Sequence, residues 1–127
     1  MPEKHLFEYA VIRVVPRVER EEFLNVGVIL YCRDVQFLEC IYTLHKEKLN
    51  AFCDDLDCGE VEEHLEAFRW ICMGDTRGGA IAKFDIASRF RWLTATRSTI
   101  VQSSKVHPGL CDDPKEELIK LHAQLVL

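Results

Sequence analysis

Side chains suited to gripping an anion occur in two stretches of the chain. Arg13, Arg17 and Asn25 lie in the first, and Arg97, Ser98, Thr99 and His107 in the second. A guanidinium forks onto the two oxygens of a carboxylate or phosphate, and hydroxyls and amides supply further polar contacts beside it. His107 opens a His-Pro-Gly sequence that reads as a turn. Its place on a loop makes His107 the best placed of the five histidines for proton chemistry. No base or nucleophile is assured beside it, so no catalytic residue is assigned.

Each of these residues also has a plain structural reading. Arg13 is the only charge between Tyr9 and Pro16. A lone buried charge is prohibitively costly, so Arg13 must pair or reach water. It is either ion-paired with Glu39 or another carboxylate on a neighbouring strand, or an anion-binding group at the floor of a cleft. Asn25 and Gly27 open a predicted strand although both are poor strand formers. A turn cap and relief of crowding explain them most simply, and a ligand contact is the alternative. Arg97, Ser98 and Thr99 fit an oxyanion, and equally the exposed face of an edge strand. Arg17, Arg20, Glu21 and Glu22 form a charged connection of alternating sign.

A second kind of chemistry is docking. From Lys83 to Lys105 the chain carries five cations (Lys83, Arg89, Arg91, Arg97 and Lys105) against the single acid Asp85. Asp54, Asp55, Asp57, Glu60, Glu62, Glu63 and Glu66 form an acidic block with no Lys or Arg among them. Opposed fields of this sort steer proteins together, which makes Arg89, Arg91 and Trp92 candidate contacts for a partner or a second copy; solvation of ordinary surface charge is the alternative. Phe90 and Trp92 interleaved with arginines also suggest a nucleic-acid surface. The few cations and the net charge of −5 make that the weaker reading.

The six cysteines read as reduced, mostly buried thiols acting as small hydrophobes. A zinc site from Cys53, Cys58, His64 and Cys72 is the rival, but His64 and Cys72 stand two helical turns apart, about 12 Å along the axis. No metal or other cofactor is therefore expected. The chain has no glycine-rich phosphate loop, no Gly-x-Ser-x-Gly elbow and no His-Glu-x-x-His.

The elements that must hold these residues can be read from periodicity. Phe7 to Pro16 is apolar on both alternating faces, the signature of a central strand covered on both sides. Leu24 to Arg33 and Gln36 to Thr43 continue it as a three-strand antiparallel meander, with Gly27 marking a bulge or close approach. Leu49, Phe52, Cys53 and Leu56 repeat with helical spacing. Glu60 to Met73 is a clearer helix, with Val61, Leu65, Phe68 and Cys72 inward and Gly74 as its C-cap. Ser88 to Leu93 is read as a short helix and Thr96 to Gln102 as a fourth strand. Asp113 and Pro114 open a last helix that buries Leu118, Leu121, His122 and Leu125. The expectation is one α+β domain over residues 1–127: an antiparallel sheet of about four strands, with helices packed mainly on one face. Its 127 residues, 48% hydrophobic, exclude a disordered chain. No apolar run approaches the roughly 20 residues needed to cross a bilayer. Without a secretory pattern at the start, the expected location is the cytoplasm, away from membranes.

Two blocks carry a resemblance: YAVIRVVPRVEREEFLNVGVILYC from Tyr9 to Cys32, and RFRWLTATRSTIVQSSKVHPGLCD from Arg89 to Asp112. Together they resemble a bacterial family, domain of unknown function 3037, and the similarity runs from the first strand to the final helix. Members are often encoded beside kinases similar to the HipA toxin. The resemblance thus implies a small cytoplasmic accessory protein, with a HipA-like kinase as candidate partner, and brings no catalytic residues with it. The leading expectation is a non-enzymatic interaction module that docks onto a protein partner or itself. The alternative is a sensor or enzyme for a small phosphorylated or carboxylated ligand held by Arg13, Arg97 and His107, which converge if the first and fourth strands are neighbours.

Overall fold

The computed structural model describes residues 4–97 and 99–127; Met1 to Glu3 and Ser98 lie outside the described residues. Five strands form one sheet: β1 (His5–Val14), β2 (Leu24–Cys32), β3 (Phe37–Tyr42), β4 (Val101–Ser103) and β5 (His107–Cys111). The helices are α1 (Lys46–Phe52), α2 (Cys58–Met73), α3 (Ile86–Leu93) and α4 (Pro114–Leu125). The sheet runs β3-β2-β1, and β4 and β5 both pair antiparallel with the free edge of β1. β1 is thus central, as its two apolar faces require.

The two faces of β1 belong to different layers. Ala10, Ile12 and Val14 are fully buried against a core built with α1, α2 and α3, including Leu49, Leu65 and Phe90. Phe7 faces the other way, into a second core with Val28, Leu30, Cys32, Cys111 and the α4 residues Leu118 and Leu121. Three helices therefore cover one face, while α4 lies across β2 and β3 on the other.

Local signals set the boundaries. Asp57 caps α2 by accepting from the Gly59 amide at 2.9 Å, and Gly74 ends the helix at φ 72°. Asp85 accepts from the Ser88 amide at 2.7 Å, which starts α3 two residues before the expected Ser88. Asp113 caps α4, with Pro114 in its first turn. At Gly27 both sequence readings hold. The β1–β2 ladder slips between Ile12–Gly27 and Arg13–Asn25, leaving Val26 as the extra residue of a bulge. A Cβ on Gly27 would also stand 2.6 Å from the Ile41 carbonyl oxygen.

The fourth strand departs from expectation. The edge strand begins at Val101 rather than Thr96 and is interrupted after Ser103, where the Ser104 hydroxyl accepts from the Val11 amide at 2.8 Å. It resumes at His107, so the anticipated His107–Gly109 turn is the start of β5. Pro108 sits on this edge, where a missing donor is tolerated. Thr96 and Arg97 precede the strand.

Candidate functional site

The neighbouring of β1 and β4 does bring polar residues to one end of the sheet, but on two faces. Arg13 stands in register between Asn25 of β2 and Gln102 of β4, on the face opposite Ile12 and Val14. It has no ion pair with Glu39. That carboxylate belongs to Lys115 of α4, whose Nζ lies 2.6 Å from it. Arg13 instead lies half-buried with its guanidinium 3.8 Å above the centre of the Phe23 ring. Among the described residues its Nε, shut from solvent, finds no acceptor, and Oδ1 of Asn25 finds no donor. Burial lowers the Arg13 pKa from its usual value. The Asn25 Nδ2 donates to the Leu125 carbonyl at 3.3 Å, tying β2 to the end of α4.

Arg97 and Thr99 occupy the other face. They line an open cleft between α2, α3 and β4, with Phe68, Ile71, Leu93 and Val101 as its apolar walls and His64 and Trp92 at its edge. The Arg97 guanidinium lies 3.6 Å over the Trp92 ring and donates to the Trp92 carbonyl. Burial lowers its pKa as well. The Thr99 hydroxyl donates to the Val101 carbonyl at 2.7 Å, which leaves it only acceptor capacity toward the cleft.

His107 joins neither group. It pairs with Tyr9, their rings 5.3 Å apart, and so lies four residues of β1, about 13 Å, from the Arg13 row. Arg17 is exposed and pairs with Asp55 at 3.3 Å, drawing the charged connection onto the acidic block. The expected single site of Arg13, Arg97 and His107 is therefore three separate places.

The candidate partner contacts on α3 also divide. Arg89 is half-buried and donates to the Phe84 carbonyl while packing against Gly74, which makes it a tie between α2 and α3. Arg91 and Trp92 are exposed and point to opposite flanks of the helix. Arg91 pairs with Glu8 at 2.7 Å and borders a depression with Leu6, Tyr31, Arg33 and Ala87. Beside it stand Leu6 and Leu110, cross-strand neighbours 58% and 63% exposed. The pair escapes a sequence reading that begins the strand at Phe7 and takes residues 107–109 as a turn, because His-Pro-Gly-Leu-Cys carries no strand alternation of its own. Phe90 is fully buried and one face of Trp92 carries Arg97, so these two aromatics form no stacking platform for bases.

All six cysteines are free. Cys72 is buried next to Cys40, whose proximity together with burial pushes its thiol well above the usual value. Burial raises the Cys111 thiol to about 11. Thiols so shifted stay protonated near neutral pH, as packing groups do. Among the described residues, no three His, Cys, Asp or Glu side chains group as a metal site. Nor, among them, is any helix long and apolar enough to cross a membrane.

No curated protein and no solved structure matches the chain. A family model does match, over residues 9–126, and its span includes both the Arg13 row and the Arg97 cleft. The chain belongs to the family described as protein of unknown function, DUF3037.

Proposed function

We propose that this protein is a non-enzymatic accessory module of the bacterial cytoplasm that docks a partner protein at the sheet corner beside α3. The observation that carries the reading is the Leu6–Leu110 pair, two large apolar side chains left uncovered side by side at the sheet edge. Exposed apolar surface rimmed by charge is characteristic of docking sites. Here the rim is Arg33, Arg91 and Glu8. The partner would seat apolar side chains against the two leucines and present carboxylates to Arg33 and Arg91. A HipA-like kinase is the first candidate, on the family resemblance.

A photo-cross-linking residue placed at Leu110 in native cells tests this, with the same residue at exposed Lys120 on α4 as the control. One discrete adduct at position 110, lost when Leu6→Asp is added to the same cross-linker-bearing chain, is the expected result. Equal labelling at both positions, or none at 110, removes the reading. Light scattering separates the occupants: a dimer abolished by the Leu6→Asp/Leu110→Asp double variant assigns the corner to a second copy of the chain.

A further inference from the structure

We propose that the cleft between α2, α3 and β4 binds a small amphipathic carboxylate, its hydrocarbon part against Phe68, Leu93 and Val101 and its oxygens on Arg97. The cleft measures about 160 Å³. Apolar space of this order, about 150 Å³ in an engineered core cavity, accommodates a benzene ring. That size fits a single ring or a short branched chain rather than a nucleotide. Phe68, Ile71, Leu93 and Val101 are held in place by the core and turn only their edges to the cleft, each being no more than 9% exposed.

The polar end is equally defined. The Arg97 guanidinium lies 3.6 Å over the centre of the Trp92 ring, and this stacking orients its plane. Among the described residues it has no carboxylate partner, although it is half-buried. A desolvated guanidinium with fixed orientation and unused N–H groups is matched by the two oxygens of a carboxylate. Thr99 has spent its proton on Val101 and adds no hydroxyl donor, which leaves Arg97 as the one guanidinium or ammonium among the lining residues. The alternative oxyanion, inorganic phosphate, carries no apolar part and leaves the four walls unused.

The test is a titration of the isotope-labelled protein, followed by nuclear magnetic resonance, with three probes: benzoate, benzyl alcohol and inorganic phosphate. Benzoate should shift Phe68, Leu93, Val101 and the Arg97 Nε–H saturably, and should bind at least about tenfold more tightly than either other probe. Arg97→Gln should weaken benzoate at least about tenfold, while Leu6→Asp/Leu110→Asp leaves it unchanged, so that this site and the docking corner fail independently. The comparison of probes on the unmodified protein decides the matter even if Arg97→Gln does not fold. Equal binding of benzyl alcohol and benzoate would remove Arg97 from the site. Preference for phosphate, or no saturable shift with benzoate, would overturn the proposal.

Discussion

The two faces of the sheet are built to different standards. Under α1, α2 and α3, Ala10, Ile12 and Val14 are fully buried, and Tyr31 and Phe90 pack their rings 5.2 Å apart in the same layer. On the opposite face α4 lies on β2 and β3 and scarcely reaches β1. Phe7 is still sealed there, but Tyr9 and Arg13 are only half-buried and Phe23 is 44% exposed. The difference shows in how β1 carries its charges: Glu8 on the three-helix face is paired with Arg91 of α3, whereas Arg13, stacked on Phe23, stands on the face whose helix stops short.

The largest effect expected is on the sealed face. Phe90 is fully enclosed, so Phe90→Ala removes a ring from a layer that three helices hold rigid, and unfolding should cost about 3–5 kcal/mol less. Denaturant titration measures it. A loss below ~1 kcal/mol would show that this face relaxes as readily as the other.

Gly27→Ala probes the joint between the faces. An added Cβ would meet the backbone oxygen of Ile41 at 2.6 Å and the Tyr42 Cβ at 2.8 Å, and backbone on a paired strand has little freedom to move. A destabilisation of about 1–3 kcal/mol is expected, read by the same titration. A neutral outcome would mean that the bulge at Val26 absorbs the strain.

A smaller effect belongs to α4. His122 is buried with Nε2 hydrogen-bonded to the Thr43 hydroxyl at 2.8 Å and Nδ1 without a partner. Burial lowers its pKa, so the folded protein prefers the neutral ring. The stability this provides is complete above the unfolded value of about 6.5 and is lost as pH falls through the lower folded value. Unfolding midpoints should therefore drop as pH falls below about 6.5, and His122→Gln should flatten that part of the slope. An unchanged slope in the variant would move the titration to another group.

How much of this could be read from the sequence follows the same division. β1, β2, β3, α2 and α4 were legible because each carries its own periodicity and end signals, such as Asp113-Pro114 and Gly74. The edge strand was not. β4 and β5 are short, the break at Ser104 is satisfied by a long-range bond to Val11, and His-Pro-Gly carries turn chemistry that pairing with β1 overrides. At the sites, residue types showed which groups needed explanation, but strand parity and helix cover decided their company. Arg13 and Arg97 stand at one end of the sheet with the sheet itself between them. Glu39, the carboxylate named for Arg13, falls through Leu30 in the Tyr9 row, four residues of β1 away from Arg13, and a lysine from α4 reaches it there.

Arg13→Met carries the smallest expected effect and the sharpest test of the contrast. Methionine keeps an aliphatic stem over Phe23 and removes a desolvated Nε that has no acceptor, while the cation–π contact is lost. These terms oppose one another, and replacement of a buried charge by an apolar side chain of similar length is commonly neutral or stabilising. Stability should change by no more than about 1 kcal/mol in either direction. A loss above ~2 kcal/mol would instead make Arg13 a keystone of the second face, as tightly integrated as Phe90 is in the first, and the distinction between the two faces would fall with it.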